Sequence, residues 1–226
     1  DNEITQTFNV TSEWKRYTVS GLVGGTLNGG GRCSLNNIDI LDENNHVYIW
    51  GAQLEEGSYA TSYIPTQGSA VTRLADVCNN GANEQVINST EGVLYAEIAA
   101  LANDGTTRFL GLNDGSNSNR VVILYFSSAN KIRAIVSSGG TKYVDVNYQL
   151  TNILDFHKVA IKYKLNDFAF WVDGVEVATD TSLNAPIGLD RLDFRVSGSN
   201  NFFGKTKDVR VYNTALTDAE LIALTT

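Results

Sequence analysis

Between residues 92 and 212 the chain is cut into apolar runs of five to ten residues by clusters of Gly, Asn and Asp. Runs of that length are too short for most helices and suit strands, while Gly, Asn and Asp tolerate the backbone angles of tight turns. The runs fall at 92–101, 107–112, 120–126, 131–137, 142–148, 158–164, 167–172, 175–179, 192–196 and 207–212. The breaks include Asn113-Asp-Gly115, Ala129-Asn130 and Gly139-Gly140. Such spacing predicts an all-β, jelly-roll-type sandwich of antiparallel sheets.

One hairpin can be placed in register. Phe168-Ala-Phe-Trp-Val172 is followed by Asp173-Gly174 and then Val175-Glu-Val177. Asp-Gly accommodates the positive φ angles of a type I′ turn, whose twist matches paired strands. That register sets Val172 against Val175 and Phe170 against Val177, with Phe168, Phe170, Val172, Val175 and Val177 on one face and Trp171 and Glu176 on the other. By the same alternation Val159, Ile161 and Tyr163 share a face opposite Lys158, Lys162 and Lys164. At the end of the chain Thr217-Asp-Ala-Glu220 reads as a capping box opening a short helix, with Leu221, Ile222 and Leu224 behind it.

The first 66 residues carry weaker strand patterns at 8–10, 14–19, 35–41 and 46–51, separated by Gly24-Gly25, Asn28-Gly-Gly-Gly31 and Glu43-Asn-Asn45. Four strands make one layer, which needs something to cover its apolar face. The expected organisation is a partial β-sandwich over 1–66, a connection over 67–84 with one strand at 70–77, and a complete β domain over 85–226.

Composition narrows the function classes. The net charge is −8 and no basic run occurs, which disfavours nucleic-acid binding. No apolar stretch approaches the roughly 20 residues of a membrane helix, and the polar start predicts no secretory leader. The chain has no Met, which points to an excised or processed product. Cys33 and Cys78 are too few for a disulfide framework and read as buried thiols.

Catalytic chemistry is sparse. The two histidines, His46 and His157, stand apart from any cluster, and there is no G-x-S-x-G elbow. Glycoside hydrolysis needs two carboxylates at a set separation. Carboxylates two apart occur at Asp1/Glu3 and Asp218/Glu220, neither inside a strand, and a pair from different strands would combine Glu97 with Asp193 or Asp208. No catalytic residue is assigned. Calcium prefers several loop oxygens. Asp39, Asp42 and Glu43 form one acidic group, and Asp104 and Asp114, with Asn113, form the group chosen as candidate Ca²⁺ ligands. Sugar binding uses an aromatic face with hydrogen-bonding groups beside it. Trp171 leads this set as either a platform or a covered core residue, joined by Tyr125, Arg133 and Lys162. Tyr59 and Tyr63 flank the junction, and Trp50 reads as core.

Two stretches resemble known families. Trp50-Gly-Ala-Gln-Leu-Glu-Glu-Gly57, with Tyr59-Ala-Thr-Ser-Tyr-Ile-Pro-Thr66 and Ala70-Val-Thr-Arg73, resembles the closing segment of carbohydrate-binding-module-like jelly rolls, frequent in phage tail and virion proteins and in secreted bacterial proteins. Residues 85–226 resemble a concanavalin A-like (laminin G-type) lectin/glucanase sandwich, through His157-Lys-Val-Ala-Ile161, Phe170-Trp-Val-Asp-Gly-Val175, Lys207-Asp-Val-Arg-Val-Tyr-Asn213 and Ala215-Leu-Thr-Asp-Ala-Glu-Leu221. The glucanase carboxylate motif is absent. Together the resemblances imply a non-catalytic glycan-binding, receptor-recognition module of a phage tail fibre or virion protein, or an extracellular protein. They imply a host-surface polysaccharide as partner and a homotrimeric state. The alternatives are a polysaccharide lyase or hydrolase on the same sandwich, and a structural assembly module.

Overall fold

Side chains alternate across a strand, so each run states which of its residues share a face. In the computed structural model, which describes residues 4, 6–21, 46–55, 60–72, 81–126, 130–195 and 201–226, those faces close into a two-sheet sandwich. The chain divides into two compact units, Asp1–Ala75 and Asp76–Thr226.

The second unit carries β1 (Glu91–Ala100), β2 (Arg108–Asn113), β3 (Arg120–Tyr125), β4 (Lys131–Ser138), β5 (Thr141–Gln149), β6 (His157–Lys164), β7 (Asp167–Val172), β8 (Val175–Asp180), β9 (Arg191–Asp193), β10 (Gly204–Tyr212) and α1 (Asp218–Thr225). One sheet has the order β10-β1-β6-β7-β8 and the other β5-β4-β3-β2-β9, with every neighbouring pair antiparallel. The main core lies between them. The first sheet supplies Leu94, Ala96, Ile98, Val159, Ile161, Tyr163, Phe168, Phe170 and Val172, and the second supplies Leu110, Leu112, Val121, Ile123, Tyr125, Ile132, Ala134, Val136 and Val144.

The middle of the first sheet is buried on both faces. Val93, Tyr95, Ala160, Ala169 and Trp171 point outward, and Leu221 of α1 packs on them. That is why β7 reads as a nearly unbroken apolar run: a strand covered on two sides has no polar face. The helix begins as the sequence predicts. Thr217 accepts from the Glu220 N–H, and the Glu220 carboxylate accepts from the Thr217 N–H at 2.8 Å.

The Asp173-Gly174 turn has φ of +48° and +78°, as a type I′ hairpin requires. Val172 pairs with Val175 and Trp171 with Glu176 as expected, but Phe170 pairs with Ala178 rather than Val177. A bulge in β8, opposite the Phe170–Trp171 step, leaves Val177 as an extra residue and shifts the register beyond it. The run at 192–196 shortens to β9, an edge strand paired only with Gly111, Leu112 and Asn113; residue 196 lies outside the described residues.

The first unit departs from its sequence pattern. Among its described residues none is in a strand, so the strands expected at 8–10, 14–19 and 46–51 are not found there. A strand layer is stable only when its apolar face is covered. Trp50 is 73% exposed beside Tyr63, with ring centroids 4.9 Å apart, so it is not a core residue. Local polar bonds shape this segment instead: Gln53 Oε1 accepts from the Ile64 N–H at 3.0 Å, and Thr61 Oγ1 donates to Glu55 at 2.6 Å. The strand expected at 35–41, most of that at 70–77, Cys33, Cys78, Tyr59, and the acidic group Asp39, Asp42 and Glu43 lie outside the described residues.

Candidate functional site

The four residues chosen for a sugar-binding face do not share a surface. Trp171 is 5% exposed beneath α1, and its indole N–H is buried without a partner. Lys162 is 8% exposed on the same covered face, where its ammonium meets Asp167 at 2.7 Å and Asp218 at 3.6 Å, tying the start of α1 to the sheet. Tyr125 points into the main core and donates to the Ile98 carbonyl at 3.2 Å, and burial pushes its phenol well above the usual range. Only Arg133 reaches an outer surface, that of the second sheet.

The candidate calcium ligands are also separated. Asp104 precedes β2 and Asp114 follows it, so six strand residues, roughly 20 Å, lie between their loops. Asp104 accepts from the Thr106 N–H at 2.9 Å and from the buried Arg108 at 2.8 Å. Burial opposes its charged form, but those bonds outweigh it and hold Asp104 at about 2. Burial likewise opposes the charge on Asp114, and its bonds to Ser116 and Asn119 hold it below its ordinary value. Among the described residues no three His, Cys, Asp or Glu side chains form a group that could hold a metal ion.

Of the carboxylate pairs, Glu97 and Asp193 stand on the outer faces of different sheets and cannot meet across the core. Glu97 and Asp208 are direct cross-strand partners outside the first sheet. Each is occupied by a cation, Glu97 by Lys207 and Asp208 by Arg210, both at 2.6 Å.

The concave surface lies elsewhere, at one end of the sandwich. A cleft of about 640 Å³ is lined by the segment entering β1, the loop before β9 and the residues after β10. Its polar lining includes Glu84, Gln85, Asn88, Ser89, Asp190 and Asn213, over Ile87 and Leu189. A second cleft of about 600 Å³ shares Glu84 and Asp190 and extends to Arg191.

The walls are fixed by a hydrogen-bond network. Tyr163 reaches from the core to donate to the Asn88 carbonyl at 2.8 Å, and Asn88 Nδ2 donates to the Asn213 carbonyl at 3.0 Å. Ser89 Oγ accepts from the Leu189 N–H at 2.8 Å, leaving its own hydroxyl as a donor. The Asp190 N–H donates to the Asn113 carbonyl at 3.1 Å, and its carboxylate bonds Arg191, which holds it below its ordinary value. Gly92 makes the approach of Tyr163 feasible, since a Cβ there would come within 2.7 Å of the Tyr163 hydroxyl and 2.5 Å of the Tyr212 carbonyl.

The polar groups of the cleft therefore divide. Asn88, Ser89 and Asp190 hold its walls, while the side chains of Glu84, Gln85 and Asn213, which also line it, have no hydrogen-bond partner among the described residues. A rigid cleft of amide, hydroxyl and carboxylate groups over an aliphatic floor can hydrogen-bond a polyhydroxylated ligand and pack its apolar faces. None of these residues stood out in the sequence. The nearest clue is the Asn88-Ser-Thr90 stretch, where Asn88 Oδ1 accepts from the Thr90 N–H at 3.0 Å in an Asx turn.

Residues 80–222 match the Concanavalin A-like lectin/glucanases superfamily. The chain belongs to that superfamily. Solved structures agree on the fold of this lectin/glucanase-type domain. One is the CBM40 of Ruminococcus gnavus IT-sialidase bound to α2,3-sialyllactose, at 16% identity and a TM-score of 0.52, covering 62% of this chain and 84% of that one. Another is leech intramolecular trans-sialidase complexed with 2,7-anhydro-Neu5Ac, at 19% identity and a TM-score of 0.51, covering 61% of this chain and 23% of that one. No curated protein matches the chain.

Proposed function

We propose that the lectin/glucanase-type domain is a non-catalytic glycan-binding module and that the glycan enters the end cleft. The observation that carries this reading is a cleft lined by Glu84, Gln85 and Asn213, whose side chains have no hydrogen-bond partner among the described residues, together with Ile87 and Leu189, on walls fixed by other residues. Sugars present hydroxyl edges and apolar ring faces, and this lining offers a match for both. The solved CBM40 with sialyllactose gives the first glycans to try.

The test is a glycan-array screen of the purified chain, followed by affinity measurements on Gln85→Ala and Asn213→Ala. Only the Asn213 backbone carbonyl takes part in the wall, so Asn213→Ala leaves the network intact. Each substitution should weaken binding by roughly tenfold, the value of one or two hydrogen bonds. Selective binding that neither variant alters would overturn the cleft assignment.

The proposed setting is a phage tail, virion or extracellular surface, with a host-surface polysaccharide as partner and a homotrimer as the working state. Light scattering of the purified chain reads the oligomer directly. A second reading rests on Glu97 and Asp208, whose cross-strand opposition brings two carboxylates together outside the first sheet. Release of reducing ends from a polysaccharide panel, lost in Glu97→Gln, would establish it. A stable oligomer with no glycan affinity would favour an assembly module instead.

A further inference from the structure

The outer face of the second sheet is divided by charge. Registers across β9, β2, β3 and β4 align Arg191, Asn113, Arg120 and Ser137 in one row, then Asp193, Gly111, Val122 and Ile135, then Phe109, Leu124 and Arg133 over the last three strands. On the β9 side Arg191 stands among Asp190, Asp193 and Asp114. Toward β5 the balance reverses. Arg120, Arg133 and Lys142 share one carboxylate, Asp145, which Arg133 grips with two nitrogens and Lys142 meets at 2.6 Å.

Arg120 has no acid of its own among the described residues. Its Nη1 donates to the Asn117 amide oxygen at 2.8 Å, and its Nε is buried with no partner. Burial pushes this guanidinium below its ordinary value, and Arg133 adds to the effect. Asp145 offsets this only in part, and an anion docking against the three cations adds the charge they lack. Val122, Leu124 and Ile135 beside it are buried, at 1%, 2% and 5% exposure, so the groups a ligand can reach are the cations themselves. The Arg133 side chain is 24% exposed, with the Phe126 ring 5.1 Å from its guanidinium, and that of Lys142 is 45% exposed.

We propose that Arg120, with Arg133 and Lys142, binds the anionic group, carboxylate or sulfate, of an acidic polysaccharide. The class of ligand rests on the glycan-binding reading; its position does not rest on the end cleft. The local positive charge runs against a chain of net charge −8, so it selects an anionic ligand at one place rather than everywhere.

The experiment measures equilibrium binding of the full chain to polygalacturonate, dextran sulfate and neutral dextran. It uses wild type, Arg120→Gln, Arg120→Lys, Lys142→Gln and Asn213→Ala, each checked for fold by circular dichroism. Wild type should bind at least one acidic polymer more tightly than dextran, and added salt should weaken that binding. Which polymer it prefers separates carboxylate from sulfate. Arg120→Gln and Lys142→Gln should each lose about tenfold for the acidic polymer alone, and Arg120→Lys should recover part of the loss. Lys142 is exposed, so its variant reads the patch even if Arg120→Gln fails to fold. Acidic polymers bound no better than dextran, or bound normally by both Gln variants, would overturn the proposal. Dextran binding lost in Asn213→Ala would leave the cleft reading standing beside that failure; no binding to any polymer would count against both.

Discussion

Trp171 shows how one residue's address and its role separate. Alternation along β7 places it opposite Phe168 and Phe170, and that placement holds, but α1 lies over it. Trp171→Ala should therefore cost stability, about 3–5 kcal/mol by urea denaturation, and leave the glycan affinity of the folded fraction unchanged. Arg108 carries a related lesson. It is 2% exposed and bonds the Phe203 carbonyl at 2.7 Å, the Thr106 carbonyl at 2.8 Å and Asp104. Arg108→Ala strands those carbonyls and should destabilise the domain by about 2–4 kcal/mol in the same assay. Asp104 gives a pH signature. Its folded value of about 2 lies below the roughly 3.9 of an unfolded Asp, so its contribution is present above pH ~4 and lost as pH falls toward 2. With the carboxylate 40% exposed, solvent screens the effect. Melting temperatures from pH 5 to pH 2 should fall less steeply in Asp104→Asn than in wild type.

At the scale of elements, two local devices position the covered face. The capping box at Thr217 and Glu220 starts α1, and the Lys162 ammonium pairs electrostatically with Asp218 in its first turn at 3.6 Å. Thr217→Ala should cost about 1 kcal/mol, and as α1 loosens the Trp171 fluorescence should move to the red. The Asp173-Gly174 turn fixes the β7–β8 hairpin. At the φ of +78° held by Gly174 an added side chain is strained. Gly174→Ala should lower the melting temperature by a few degrees, roughly what 1 kcal/mol removes from a domain of this size. Both devices were legible because they are local: four consecutive residues make the cap and two make the turn. The bulge in β8 was not, because it depends on which residue the opposing strand and core accept rather than on the turn.

At the scale of the whole molecule, the buried-cluster residues of the sandwich, among the described residues, all belong to the second unit. Residues 76–226 expressed by themselves should unfold in one cooperative transition, with a midpoint within a few degrees of the sandwich transition of the full chain, as scanning calorimetry would show. Failure to fold would mean the first unit supplies something essential. What the sequence determined by itself is the strand content from residue 91 onward, the hairpin turn, the terminal helix and the identity of the core faces, because period-two alternation and turn chemistry act over a few residues. Tertiary structure decided that outer residues such as Trp171 and Val122 are covered, that Tyr125 and Lys162 are structural partners, and that Asp104 and Asp114 stand at opposite ends of one strand. It alone assembled the end cleft and the charged patch. Those sites join residues as far apart as Asn88 and Asn213, or Arg120 and Lys142, and only strand order and register bring such residues together.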